Sequence, residues 1–400
     1  MKELKILQIN ESHFEAGGQE RYFFDLINAL REKGYKVYSF GFAPKARRDA
    51  NSLVLKDTPN FVLRQIKRFL FDPSVYIKLS RYIKEIKPDI IHLHGINKST
   101  FSVLAACRGY NTVMTVHNYG FVCPTIWCVY KNNLQICKGT PGLKCLKHRC
   151  INPITLITFK IHFKIRDLLL RKVVRQFITP SKRLKYYLQD YGFKNVVDIH
   201  YFVELKGVVS KQKTKKDIDV LYVGRLDREK GVDFLIRAIK HVKEHYQNVK
   251  GVVVGWGPER EKLEGLAKEL GLEKNILFVG KVLFEKVKDY YARSKLVVVP
   301  SVYMEQFGIV GIEAMANGIP LIGSDRGGIP EWCIHGKTGL VVEPTKPREI
   351  ADAIIKIIRD EKLSKGFGEN GKKEARRFDK RDRVRDVEGV YKKVLKWSKI

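Results

Sequence analysis

No run of about 18 consecutive apolar residues occurs in the 400-residue sequence, which excludes a hydrophobic spanning helix. The nearest candidate, the uncharged stretch 109–130, is interrupted by Asn111, His117, Asn118, Gly120 and Pro124. A signal peptide is not expected, because Lys2, Glu3 and Lys5 leave no room for an apolar core before Asn10. The chain is therefore expected to be cytoplasmic. Internal repeats and low-complexity segments are lacking too. Acidic residues are scarce: 43 Asp and Glu stand against 75 Lys and Arg, a formal net charge of +32. None occurs between Asp89 and Asp167, where Lys and Arg recur ten times. Such an excess attracts polyanions, and nucleic acid, an anionic membrane face and phosphorylated substrates all fit it. A lysine-rich solvated surface fits as well. No recognised nucleic-acid motif is present, which argues against a specific nucleic-acid partner. The hydrophobic fraction of 44% supplies a sizeable core and excludes a disordered chain or a small disulfide scaffold.

What is present is a series of short apolar runs alternating with helical patterns. Residues 4–10 (LKILQIN) read as a strand. Residues 19–33 repeat Tyr22, Leu26, Ala29 and Leu30 at helical spacing, Gly34 stops them, and 36–42 read as the next strand. This βαβ unit implies a parallel sheet. Residues 90–94 (IIHLH), 112–117 (TVMTVH) and 177–180 (FITP) continue it, the first two as buried strands ending in His. A second series begins near Asp219, with strands over 219–224, 249–255, 275–280, 295–301 and 319–325. Helices are predicted over 232–245, 259–270, 284–293 and 308–317. The polar, basic stretch 205–216 reads as a linker. The fold expected is α/β, two Rossmann-like parallel-sheet domains facing a cleft, with ligands outside the carboxyl ends of the strands. The domains are set at 1–203, carrying a cysteine-rich insert at 123–150, and 204–375. A helical segment, 376–400, is expected to pack back toward the first domain.

Three loops between strand and helix could carry chemistry. Residues 16–21 (AGGQER) place Gly17 and Gly18 where backbone amides can approach a ligand, although Gly-Gly before a helix is also an ordinary turn. Residues 223–231 (VGRLDREKG) bracket a loop with Arg225 and Lys230, a guanidinium fork and a point charge suited to a diphosphate. Residues 305–320 (EQFGIVGIEAMANGIP) put Glu305 before a helix and Glu313 within it, up to about 12 Å apart at ~1.5 Å per residue. The amides of Phe307, Gly308, Ile309 and Val310 would meet phosphates at that helix start. A charge such as Glu313 among Ile, Val, Ala and Met is rarely left unpaired. No Asp-x-Asp metal motif is expected in the chain.

The E-x7-E spacing and its tail, AMANGIPLIGSDRGGIPEWCIHGKTGLVVEP, strongly resemble the retaining family 4 glycosyltransferases of GT-B fold. GGQER, PDIIHLH, TVHNYGFVCP, TPSKRL, VGRLDREKG and GWGPEREKLE follow in the matching order, so the likeness covers nearly the whole chain. The resemblance implies that Arg225 and Lys230 hold a donor diphosphate, Glu305 meets the transferring sugar and Glu313 the ribose. It implies that Phe307, Gly308, Ile309 and Val310 line the donor through their backbone. Gly17 and Gly18 would close over the donor, and His117 would lie beside the reacting carbon. Gly255 and Val282 belong to the loops 255–258 and 281–283 expected to frame the nucleobase. His92 and His94 are expected to be structural. The expected catalytic set is His117, Glu305, Arg225 and Lys230. Two cations in place of a divalent ion make the enzyme metal-independent on this reading, with no cofactor beyond a UDP- or GDP-linked donor.

Departures from the family pattern are local. HYFVEL, 200–205, stands where many relatives have an Asn-Gly turn at the domain junction. Cys123, Cys128, Cys137, Cys145 and Cys150 crowd the insert without a C-x2-C pair, which makes zinc the weaker alternative to reduced packing thiols. Residues 151–176 mix Phe159, Ile161, Phe163, Ile165, Leu168 and Leu169 with Lys160, Lys164, Arg166, Arg171, Lys172 and Arg175. Such a segment suits an anionic bilayer, and equally an amphipathic helix packed on its own domain. The function expected is transfer of a hexose-type sugar to a saccharide or glycolipid acceptor, in cell-surface polysaccharide or glycolipid assembly, with an anionic membrane face as a candidate partner. The alternative is an inactive relative that binds a glycan or a membrane.

Overall fold

The first βαβ unit forms where the hydrophobic spacing places it. Lys5–Ile9 (β1) is almost wholly buried, Gly18–Glu32 (α1) turns Tyr22, Phe23, Leu26 and Leu30 inward, and Lys36–Ala43 (β2) returns parallel to β1. A computed structural model of the chain describes residues 4–14, 17–58, 60, 70–96, 100–205 and 215–397. Ala16 of the glycine loop and most of the expected linker, 205–216, lie outside the described residues.

The chain divides into two units. One comprises Met1–Ile126, Lys138–His200 and Arg381–Ile400, the other Trp127–Cys137 and Tyr201–Lys380. The expected first domain, 1–203, therefore includes an eleven-residue excursion, Trp127–Cys137, that groups with the second unit. The reason is local. Val129 bridges Ile136 in an antiparallel hairpin, and the Met304 amide donates to the Trp127 carbonyl at 3.0 Å.

The sheet of the first unit adds Arg47–Asp49 (β3), Ser52–Lys56 (β4), Ile90–Leu93 (β5), Thr112–Thr115 (β6), Val174–Thr179 (β7) and Val196–Asp198 (β8). Its order is β3-β4-β2-β1-β5-β6-β7-β8, with β3 antiparallel to β4 and the other neighbours parallel. Two of the expected strands end earlier than the sequence suggested: His94 is the first residue past β5, and His117 lies two residues past β6. The unit's other described α-helices are Pro73–Ile86 (α2), Thr100–Ala106 (α3), Leu143–Lys147 (α4), Pro153–Val173 (α5) and Lys182–Asp190 (α6), with the C-terminal helix considered below.

The second unit holds six parallel strands, Ile218–Val223 (β9), Gly251–Val254 (β10), Ile276–Gly280 (β11), Ser294–Val299 (β12), Leu321–Ser324 (β13) and Gly339–Val342 (β14), in the order β11-β10-β9-β12-β13-β14. Val232–His245 (α7), Arg260–Glu269 (α8), Phe284–Arg293 (α9), Ile309–Ala316 (α10), Pro347–Arg359 (α11) and Glu361–Ala375 (α12) connect and cover them. Leu235, Ile236, Ile239 and Val242 of α7 join Val220, Val253 and Val298 of the sheet in one core. From β9 the chain winds outward through β10 to β11, then crosses back to place β12 on the other side of β9. The crevice past the carboxyl ends of β9 and β12 is thus the switch point of the sheet, where ligands of such folds bind. Lys380–Trp397 (α13) follows.

Candidate functional site

The two loops that leave the switch point are pressed together. Gly231 caps α7 at φ 67°, and a β-carbon there would lie 2.2 Å from the Pro300 carbonyl oxygen, so only glycine lets the loops after β9 and β12 touch. That closeness brings Lys230 to Glu305. Lys230 Nζ donates to Glu305 Oε2 at 2.8 Å and to the Tyr303 hydroxyl at 3.0 Å. The Tyr303 hydroxyl donates to Glu305 Oε1 at 2.7 Å and Ser301 Oγ to Oε2 at 3.0 Å. Glu305 is 6% exposed, and the Lys230 side chain 19%. Burial works against both charges, but each is the other's answer: the pair holds Lys230 above its ordinary value and Glu305 below. Burial, then the Glu305 charge, keep Tyr303 protonated as a donor. Tyr303 and Ser301 were not singled out from sequence; their signal was only nearness to Glu305.

Next to this pair, α10 begins at Ile309 behind Gly308. Its first amides have no partner within the helix and carry the positive end of the dipole. Phe307 itself is wholly buried between Tyr201 and Phe378, and its carbonyl accepts from Trp332 Nε1 at 2.5 Å, so only its backbone can serve a ligand. Glu313 is 3% exposed and accepts from the Tyr291 hydroxyl at 3.0 Å. This explains how an apolar helix tolerates the charge. Arg225 is not gathered into the cluster. Its side chain is 62% exposed and pairs with Asp227 at 2.7 Å. The Gly255 amide donates to the Gly280 carbonyl at 2.9 Å, so the loops carrying Gly255 and the half-buried Val282 leave the sheet side by side. Trp256 stands there 64% exposed, an aromatic face the sequence reading did not name individually.

Gly17, Gly18 and His117 belong to the first unit. Both glycines are exposed at the start of α1. His117 is buried and joined to a hydrogen-bonded chain. Gln8 Nε2 donates to the Tyr391 hydroxyl of α13 at 3.1 Å, which leaves that hydroxyl to donate to His92 Nδ1 at 2.7 Å. His92 Nε2–H then donates to Thr115 Oγ1 at 2.7 Å. Gln8 Oε1 accepts from His94 Nε2–H at 2.7 Å, so His94 Nδ1 accepts from His117 Nε2–H at 2.8 Å. Burial lowers the pKa of all three rings, His92 and His117 to about 3, and keeps them neutral. His92 and His94, expected to be structural, thus fix the tautomer of His117.

The five cysteines of the insert are divided between the two units. Among the described residues no disulfide joins the seven cysteines. Cys128 and Cys137 face each other across the hairpin while Cys123, Cys145 and Cys150 belong to the first unit. Among the described residues no three His, Cys, Asp or Glu side chains are placed to hold a metal. An Asp-x-Asp does occur at Asp217 and Asp219, by the entry to β9. There Asp217 pairs with Arg293 at 2.6 Å and Asp219 with Lys295 at 2.8 Å, at the end of the strand opposite the Lys230–Glu305 loops.

Comparison with known proteins shows the family and the fold. The family model described as Glycosyltransferase Family 4 matches residues 16–206, and that described as Glycosyl transferases group 1 matches residues 182–374. N-acetyl-alpha-D-glucosaminyl L-malate synthase of Bacillus anthracis is 30% identical over 332 residues, 82% of this chain and 81% of that protein. The chain belongs to the family 4 glycosyltransferases. An uncharacterized glycosyltransferase of Methanocaldococcus jannaschii is 39% identical over 155 residues, and the match spans 39% of either chain. With D-inositol 3-phosphate glycosyltransferase of Corynebacterium jeikeium it likewise spans 39% of that relative, at 36% identity. The chain thus spans well under half the length of these two curated relatives. Sucrose-phosphate synthase of Thermosynechococcus elongatus superposes with a TM-score of 0.77 at 24% identity, covering 98% of this chain and 99% of that one. HepE of Anabaena, in complex with UDP and glucose, gives 0.75 at 19%, covering 98% and 100%. These structural likenesses show the GT-B fold.

Proposed function

We propose that the protein transfers a hexose-type sugar, with retention, from a nucleotide diphosphate sugar to a saccharide or glycolipid acceptor in polysaccharide or glycolipid assembly. The observation that carries this reading is the buried Lys230–Glu305 pair beside the start of α10, at the switch point of its sheet. Breaking the anomeric bond sends its electron pair to the diphosphate oxygen and leaves positive charge on the sugar. Lys230 and the α10 amides oppose the first, with Arg225 swinging in from solvent. Glu305 eases the second. The acceptor hydroxyl attacks carbon 1 from the same face and gives up its proton to the departing phosphate. His117, neutral and of fixed tautomer, is the polar group offered to the sugar. Glu313 takes the ribose, and the loops of Gly255 and Val282 the base. UDP in complex with HepE makes UDP-linked hexoses the first donors to try, with GDP-linked ones beside them. In this reading two cations stand in for a divalent ion.

Among the described residues no helix is long and apolar enough to cross a membrane. We infer a peripheral position on an anionic membrane face, supported by the acid-free interval between Asp89 and Asp167.

A panel of UDP- and GDP-linked sugars, screened by thermal shift, tests the donor. The cognate donor at 100 times its dissociation constant is expected to stabilise the fold by about 2.7 kcal/mol. If no nucleotide sugar moves the melting point, the reading fails. A shift without transfer or hydrolysis in any acceptor mixture would instead favour an inactive binding protein.

A further inference from the structure

A row of cations runs along one flank of an apolar ridge on α5. The helix is fixed at its start by Pro153 and by Asn152, whose side chain accepts from the Thr155 amide at 2.8 Å. Ile154, Ile157, Ile161, Ile165 and Leu168 are between 48% and 75% exposed. Their steps of three and four residues, at roughly 100° per residue, align them in one stripe. Lys160, Lys164 and Arg171 project about 60–100° to one side of that stripe. On that side lies a cavity of about 390 Å³. It is lined by these three cations together with Leu168, Asp167 and Tyr191, among others. Asp167 does not cancel the cationic row, because it is buried and paired with Arg166 at 2.6 Å. Arg171 is held in place by donating to the Gly192 carbonyl and by lying 4.8 Å over the Phe193 ring.

Five exposed aliphatic side chains in line are unusual on a surface that faces only water. Soluble phosphate would account for the cations but not for the ridge. An anionic bilayer accounts for both: aliphatic tips enter the acyl boundary while ammonium and guanidinium groups stay level with the lipid phosphates.

We propose that the α5 ridge seats in the surface of an anionic phospholipid bilayer and that the adjoining cavity takes a lipid phosphate between Lys160, Lys164 and Arg171. This rests on the membrane part of the function proposed above and is independent of the donor site. Cosedimentation of the whole protein with phosphatidylglycerol-containing vesicles, against pure phosphatidylcholine vesicles, tests it. Binding is expected to the first and to be far weaker to the second. Lys160→Gln with Lys164→Gln should weaken binding ~5-fold for each lysine removed, the equivalent of about 1 kcal/mol per cation at an anionic surface. Ile157→Ser with Ile161→Ser should weaken it about 10-fold or more per isoleucine. Equal binding to neutral vesicles, or unchanged binding by either double variant, overturns the proposal. Replacing chloride by sodium phosphate at equal ionic strength should leave the protein on the vesicles; release would assign the cavity to soluble phosphate and overturn the headgroup. Both variants should keep the wild-type thermal shift with nucleotide sugar. Absence of that shift in the wild type would sink the donor site alone and leave the vesicle result standing.

Discussion

Lys230→Ala is expected to lower turnover by ~10²-fold or more, the usual cost of losing one preorganised group aimed at developing charge. The geometry makes this variant informative. Lys230 reaches the switch-point crevice on a loop clamped by Gly231 against Pro300. Arg225, five residues earlier in the sequence, already engages Asp227 and faces solvent. The Glu305 carboxylate left behind keeps two of its donors, Tyr303 and Ser301, so the site should hold its shape while losing its positive charge. The loss should appear in kcat and in donor affinity together, because the diphosphate is charged before and during transfer. Steady-state rates with the donor identified by thermal shift check this; near-normal turnover in the folded variant contradicts it.

Glu305→Gln should cost both activity and stability. Turnover is expected to fall by ~10²-fold, since the amide cannot ease positive charge on the sugar. Removing one member of a buried ion pair leaves Lys230 unanswered, at about 3 kcal/mol. The pH dependence gives a second handle. The folded-state pKa of Glu305 lies below the ordinary 4.5, because Lys230, Tyr303 and Ser301 together outweigh the burial penalty. Its ionised form therefore contributes stability in full above about pH 4.5, and that contribution disappears as pH falls through the lower folded-state value. Urea unfolding of wild type and variant across this range should show the gap between them narrowing as the solution becomes more acid. A constant gap, or none at neutral pH, would show that the pair does not form.

Much of this site could be read from the chain because the chemistry and the local structure use the same residues. The helix at 232–245 and the residues Lys230, Glu305 and Glu313 were legible as a strand-end loop, a charge before a helix and a charge inside an apolar helix. The Asp72-Pro73 cap that starts α2 is legible in the same way, since the Asp72 side chain accepts from the Ser74 and Val75 amides and proline suits the first helical position. The partners of buried polar groups were not legible. Tyr303 is two residues from Glu305, but nothing in VYME says its hydroxyl turns inward. Gln8, His92, His94 and Tyr391 meet across as many as 383 positions of sequence, and only the parallel sheet and α13 bring them together. The Trp127–Cys137 excursion was hidden for the same reason: one backbone hydrogen bond to Met304 and the packing beside it, not composition, assign it to the second unit.

The most direct measurement is a crystal structure with the nucleotide diphosphate hexose that raises the melting point most. The account predicts its diphosphate within hydrogen-bonding distance of Lys230 Nζ and of the amides at 308–310, with the sugar against Glu305. A donor bound elsewhere, with the Lys230–Glu305 corner shut beneath Tyr303 and empty, would contradict it.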